Sequence, residues 1–183
     1  MRRARINKVR IGGGTLRSRI IAFPDAPGLR PTPDRVRETL FNWLGQTLYG
    51  RTCLDLFAGS GALGFEAASR GAERVVMVEK NPAVFRALQD NAGKLGCDRV
   101  VISCQDGLQF ASRDTQKYDV IFLDPPFGSD YLAALLEILP QRLNEEGVLY
   151  VESGAATGVP PPWQVMKSGK AGQVHYQLLG LGQ

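Results

Sequence analysis

An apolar run over residues 52–57 passes through Ala58-Gly59-Ser60-Gly61-Ala62-Leu63-Gly64 into a helical pattern over 62–70, closed by Gly71. A strand that becomes a helix through G-x-G-x-x-G constrains this chain more than any other feature. The glycines let backbone approach a nucleotide and let the helix pack on a sheet. Glu79 ends the next apolar run, twenty residues after Gly59, where a strand-end carboxylate meets a ribose hydroxyl.

The same alternation continues downstream. Residues 74–78, 100–104, 118–123 and 147–152 read as strands, and 82–95, 108–112 and 130–143 as helices, with Gly96 ending the first of these. Residues 164–167 and 173–179 read as a closing antiparallel pair. Strands separated by helices predict parallel crossovers and a doubly wound α/β sheet. Upstream, 24–31 is a loop; Thr32 is expected to cap a helix with Pro33 at its first position. That helix runs to about Leu48, with Val36, Leu40, Phe41, Leu44 and Leu48 on one face and Gly50 marking its end.

Residues 1–23 alternate basic and apolar side chains around Gly12-Gly13-Gly14. They predict a β-hairpin or two short strands, arginines on one face and isoleucines on the other. The triple glycine permits a tight turn or a close approach to a ligand. Up to Arg37 there are ten bases, nine of them arginines, against Asp25 and Asp34. That segment carries +8 and leaves −4 for the remainder of a chain whose net charge is +4. A basic front on an acidic body points to a nucleic-acid backbone as partner, with Arg5, Lys8, Arg10, Arg17, Arg19, Arg30 and Arg35 as the contact set. No apolar stretch approaches the roughly 20 residues of a membrane span, and the basic N-terminus lacks a secretion signal's apolar core. A soluble cytoplasmic monomer is expected. Cys53, Cys97 and Cys104 form no C-x-x-C pair, so neither a disulfide framework nor a metal site is expected; Cys53 and Cys104 read as buried strand thiols.

The glycine loop alone leaves a nicotinamide or flavin cofactor open. Asp55, four residues ahead of Gly59, would repel a pyrophosphate but suits a free ammonium group. The chain also has no room for a second mononucleotide half and a substrate domain. S-adenosylmethionine, with an amino-acid tail and no phosphate, fits. Its expected contacts are Asp55, Phe57, Gly59, Ser60 and Gly61, then Glu79 and Lys80, then Asp106 and Gly107, with Thr32 closing from the N-terminal side. Asp106 reads equally as a helix N-cap.

The strand at 118–123 stops at Asp124-Pro125-Pro126-Phe127. Proline cannot donate to a ladder, so the chain leaves the sheet in a rigid extended turn. A carboxylate, a free carbonyl and a ring at a strand's carboxyl end suit a planar base bearing an exocyclic amine. Hydrogen bonds to Asp124 and Pro125 would orient the nitrogen, and Phe127 would stack on the base. His175, Trp43 and Trp163 read as structural, and Ser60 has no histidine partner for a hydrolase role.

These residues resemble the bacterial 16S ribosomal RNA guanine-N2-methyltransferases. The resemblance rests on Gly12-Gly13, Arg30-Pro31-Thr32 with Asp34-Arg35-Val36-Arg37-Glu38, Leu40-Phe41-Asn42, the glycine loop from Asp55 to Gly61, Glu79, and Asp124-Pro125-Pro126-Phe127. Arg-Pro-Thr…Arg-Val-Arg-Glu is its most specific part, whereas the Asp-Pro-Pro-Phe tetrad is shared by many amino-directed methyltransferases. Where the family often has an Arg-Gly-Arg-like step after its glycines, this chain has Leu16-Arg17-Ser18-Arg19. The resemblance implies a Rossmann-like, seven-stranded class I methyltransferase domain over 32–183 with a basic hairpin extension over 1–31. It further implies S-adenosylmethionine as donor, N2-methylguanine as product, and 16S rRNA within the small ribosomal subunit or a late assembly intermediate as partner. An N6-adenine methyltransferase and a non-catalytic RNA-binding assembly factor are the alternatives.

Overall fold

A computed structural model of the chain describes residues 5–126, 130–155 and 158–183. The central sheet has seven strands: β3 (Thr52–Asp55), β4 (Arg74–Val78), β5 (Val100–Ser103), β6 (Tyr118–Leu123), β7 (Leu143–Ser153), β8 (Trp163–Ala171) and β9 (Val174–Leu181). Their order is β5-β4-β3-β6-β7-β9-β8, parallel except for the two pairings of β9. The order reverses between β3 and β6, and that switch point is where open α/β sheets leave a crevice beyond the strand ends. β1 (Ile6–Arg10) and β2 (Ile20–Pro24) form a separate antiparallel pair.

Two apolar cores flank the sheet. One joins Val9, Ile21 and Phe23 of the β1–β2 pair with α1 (Asp34–Trp43), α2 (Ala62–Ser69), α3 (Pro82–Leu95) and inward residues such as Cys53, Phe122 and Tyr150. The other packs α4 (Gly107–Arg113) and α5 (Tyr131–Ile138) on residues such as Leu54, Ile121 and Leu149. Among the described residues no helix is long and apolar enough to cross a membrane.

Several expected boundaries shift for identifiable reasons. Pro33, not Thr32, is the N-cap of α1, and the Thr32 hydroxyl is engaged elsewhere. Helix α1 stops at Trp43 because Gly45 and Gln46 turn left-handed (φ 94° and 65°). Leu48 is still fully buried, its N–H donating to the Arg70 carbonyl at 2.9 Å. The helix expected over 130–143 ends at Ile138 and continues as a 3-10 turn at Leu139–Arg142. Pro140 cannot donate to the Leu136 carbonyl, and the Trp163 indole N–H takes that place at 2.8 Å. Cys104 lies beyond β5 and is exposed rather than a buried strand thiol.

The N-terminal pair corrects the expected division of faces. Ile6, Lys8, Arg10 and Ile20 share the exposed side, while Val9 and Ile21 point into the core. Arg17 and Arg19 lie in the wide loop between the strands. The triple glycine meets α2 instead of a ligand: a Cβ on Gly14 would lie 2.0 Å from the Ser69 carbonyl oxygen, and Gly14 has φ 79°. Ser69 accepts the Leu16 N–H at 2.9 Å, and its own hydroxyl donates to the Gly13 carbonyl at 2.5 Å. The free edge of β2 is closed by Asn91 of α3, whose amide donates to the Ala22 carbonyl at 2.8 Å.

Candidate active site

Three acids converge at the carboxyl ends of adjacent strands. In the ladders Asp55 lies opposite Phe122, and Phe122 opposite Tyr150. Side chains alternate along strands, so Asp124 and Glu152, each two residues on, follow on the same face. Asp55, Asp124, Thr32, Arg30 and Phe57 line one small cavity of about 30 Å³ with Gly59 and Ser60 of the glycine loop.

Each acid is held differently. Asp55 is buried, and its Oδ2 has no hydrogen-bond partner. Burial pushes its pKa up to about 7; the Glu79 and Glu152 charges add to this, while the Gly64 and Phe57 N–H groups oppose it. Asp124 is partly buried. Burial first, then the Glu152 and Asp55 charges and a hydrogen bond with Glu152, raise its pKa well above the ordinary carboxylate range. Glu152 is buried, and its Oε1 accepts from the Thr32 and Tyr150 hydroxyls, each at 2.7 Å.

The glycine loop is braced from within. Glu79 accepts the Gly59 N–H with Oε2 and the Asn81 N–H with Oε1, both at 2.9 Å. Gly59 and Gly61 have φ 51° and 83°, and a Cβ on Gly61 would lie 2.6 Å from the Phe65 ring. Ser60 is buried and its Oγ accepts the Ala62 N–H at 3.2 Å, a local turn contact. Lys80, next to Glu79 in the chain, is exposed. Gly107 packs so closely that a Cβ would lie 2.6 Å from the Leu56 carbonyl oxygen.

Asp106 caps α4, its Oδ1 accepting from Leu108 and Gln109 at 3.0 and 3.1 Å. Its Oδ2 accepts the Tyr131 hydroxyl at 2.8 Å, and the Tyr131 ring lies 5.7 Å from that of Phe57. A carboxylate beside two aromatic faces is suited to a flat base with an amino group.

Pro125 is buried and Pro126 exposed; Phe127 lies outside the described residues. Arg5, Lys8, Arg10, Arg17, Arg19, Arg30 and Arg35 are exposed. The Arg19 guanidinium donates to the Lys94 carbonyl at 2.9 Å, so that arginine is partly engaged by α3. Arg37, counted within the basic front, is buried against Glu66 and so is no surface charge.

Glu152, Tyr150 and Tyr131 were not among the residues expected from the sequence. Glu152 carries a signal that would have found it: like Glu79 and Asp124, it is an acid closing an apolar run. Tyr131 had no such mark, since its meeting with Asp106 depends on how α5 packs beside α4.

The family described as conserved hypothetical protein 95 matches residues 9–180. The ribosomal RNA small subunit methyltransferase D of Escherichia coli is 40% identical over 176 residues, covering 93% of this chain and 89% of that protein. Its Haemophilus influenzae counterpart of the same name is 37% identical over 179 residues, covering 93% of each. The solved structure of the Escherichia coli protein yhhF superposes with a TM-score of 0.86 at 38% identity, covering 96% of this chain and 99% of that one. The fold is the Rossmann-like, seven-stranded class I methyltransferase fold.

Proposed function

This chain belongs to the family of the ribosomal RNA small subunit methyltransferases D, and on that footing we propose that it methylates the exocyclic N2 of a guanine in 16S rRNA of the small subunit. The observation that carries the reading is Asp124 at the end of β6, sharing one cavity with Asp55 and the glycine loop of the neighbouring strand β3. An amine acceptor and a cofactor cradle on adjacent strand ends would put a base nitrogen beside a methyl donor.

The donor is S-adenosylmethionine, which when bound supplies an electrophilic methyl group already activated on a sulfonium. The residues present fit it. The buried, unpartnered Oδ2 of Asp55 matches an ammonium group. Glu79, braced against the glycine loop, would accept from a ribose hydroxyl, and Asp106 with Phe57 and Tyr131 would hold the adenine. Thr32, Gly59, Ser60, Gly61, Lys80 and Gly107 complete the cradle.

On the substrate side, the Asp124 carboxylate and Pro125 carbonyl accept the amine hydrogens and aim the nitrogen lone pair. Stacking on the base is the role assigned to Phe127, and rigidity of the chain after Asp124 that of Pro126. Arg30, exposed at the cavity rim, meets a phosphate next to the target nucleotide. The exposed bases of the N-terminal pair, with Arg35, extend that contact along the RNA backbone.

Incubation with small subunits lacking the modification and labelled S-adenosylmethionine, followed by mass analysis of nucleosides, tests the reading. N2-methylguanine at one mapped site, lost in Asp124→Ala with cofactor binding retained, is expected. N6-methyladenine without N2-methylguanine would overturn the choice of base. Cofactor binding with no transfer to any RNA would favour an assembly factor.

A further inference from the structure

Glu152 has no place in the scheme above, yet it stands next to its central residue. The β6–β7 ladder ends with Leu123 opposite Val151, so the following pair is Asp124 and Glu152. Glu152 is 4% exposed, buried among groups that fix its orientation. Thr32 Oγ1 and Tyr150 OH both donate to Oε1, which leaves Oε2 for Asp124. Neither hydroxyl can supply a counter-charge. Among the described residues, the other charged and titratable groups facing the pair are Asp55 on β3, Tyr176 on β9 opposite Glu152, and Arg30 at the cavity rim. Two carboxyl groups that share a hydrogen bond must have a proton between them, and two full charges this close are unfavourable.

Resting on the reading of Asp124 as the amine acceptor, we infer that Glu152 is its proton-sharing partner and the onward acceptor of the proton released by the methylated amine. In the resting protein one proton joins the two carboxyls, whose combined charge is −1. The outer oxygen of Asp124 accepts an amine hydrogen of the base. Once the nitrogen has gained its methyl carbon it carries one proton too many and a positive charge. That N–H bond breaks and an O–H bond forms on the outer oxygen of Asp124. The proton already shared on the inner oxygen moves fully to Glu152. Nitrogen falls from +1 to 0 and the pair rises from −1 to 0, so charge and protons balance with no further reactant. Thr32 and Tyr150 keep Glu152 aligned, which makes it a positioning residue acting through Asp124.

Glu152→Gln tests this while preserving the scaffold, because an amide oxygen still accepts from Thr32 and Tyr150. Its NH2 group would donate to Asp124 and hold it ionised. Two measurements are needed. The first is a titration of 13C-labelled aspartate carboxyls in the protein without RNA, the Asp124 resonance being assigned by its loss in Asp124→Asn. Its midpoint should fall by about one pH unit or more in Glu152→Gln. The second is single-turnover methyl transfer to small subunits across pH. The acidic limb should move down with that midpoint, and the plateau rate should drop roughly ten- to hundredfold with cofactor affinity unchanged.

An unmoved midpoint overturns the shared proton. A lowered midpoint with a wild-type plateau overturns the onward transfer. If the wild-type protein methylates no small subunit, the proposed function fails, while the midpoint still decides whether the carboxyls share a proton.

Discussion

Arg37 and Glu66 form an ion pair at 3.3 Å in which both side chains are almost wholly shielded from water. Glu66 also accepts from Arg70 Nε and from the Gly12 N–H, both at 2.9 Å. Arg37 reaches the Arg10 carbonyl at 3.0 Å and the Asp34 carboxylate. One buried pair therefore joins α1, α2 and the N-terminal strands. Arg37→Met leaves the Glu66 charge short of a partner and should cost about 3–5 kcal/mol in denaturant unfolding. The double variant Arg37→Met with Glu66→Leu should recover only part of that loss, because the Gly12 N–H and Arg70 Nε then lose their acceptor. Asp34→Asn, at an exposed carboxylate, should cost less than about 1 kcal/mol.

Gly14 and Gly28 separate conformational cost from steric cost. Both have positive φ, 79° and 76°, but Gly28 has open space where a Cβ would go. Gly28→Ala should cost about 1 kcal/mol. Gly14→Ala, driven into the Ser69 carbonyl, should cost about 2–4 kcal/mol and loosen the N-terminal strands, read as faster amide exchange at Val9 and Ile21.

Asp55 should make the resting protein less stable as pH rises. Its folded pKa, about 7, lies above the 3.8 of an unperturbed aspartate, so between those values the folded state binds more protons than the unfolded chain. Stability falls across that window and levels off above about pH 7. Asp55→Asn should be more stable than wild type at pH 8, by on the order of 2 kcal/mol, with the gain shrinking toward pH 4. The same variant should bind S-adenosylmethionine about tenfold or more weakly by calorimetry, having lost the charge that faces the ammonium.

Tyr131 couples its hydroxyl to Asp106 and its ring to Phe57. Tyr131→Ala should weaken S-adenosylhomocysteine binding about tenfold by removing an aromatic wall. Tyr131→Phe, which keeps the ring, should stay within about threefold of wild type. Equal losses in both would place the energy in the hydrogen bond instead.

Local features were legible because they are written within a few residues of one another. The helix over 82–95 shows how: it starts at Pro82, just after Asn81, which accepts from Ala83 and Val84 at 2.9 and 3.3 Å, and Gly96 ends it in a left-handed turn. The acids ending β3, β4 and β6 were visible for the same reason. What escaped was every role set by a distant partner. Thr32 looked like a helix cap because its neighbours in sequence suit one, yet its hydroxyl bonds a carboxylate 120 residues away. Arg37 looked like a surface charge because a count of bases carries no information about burial. The glycines at 12–14 looked available to a ligand, whereas Ser69 lies against them.

The sequence by itself determined the alternating strands and helices, the glycine loop, the strand-end acids and the family. The elements, the loop and the acids follow from periodicity, turn chemistry and short spacing, and the family from the likeness of its motifs. Only the tertiary structure decided that Asp55, Asp124 and Glu152 share one face and that two hydroxyls hold Glu152 in place. Strand order and register bring those residues together, and they are settled by packing between segments far apart in the chain. Burial, with the charges of the neighbouring carboxylates added to it, then raises the proton affinity of Asp55 and Asp124.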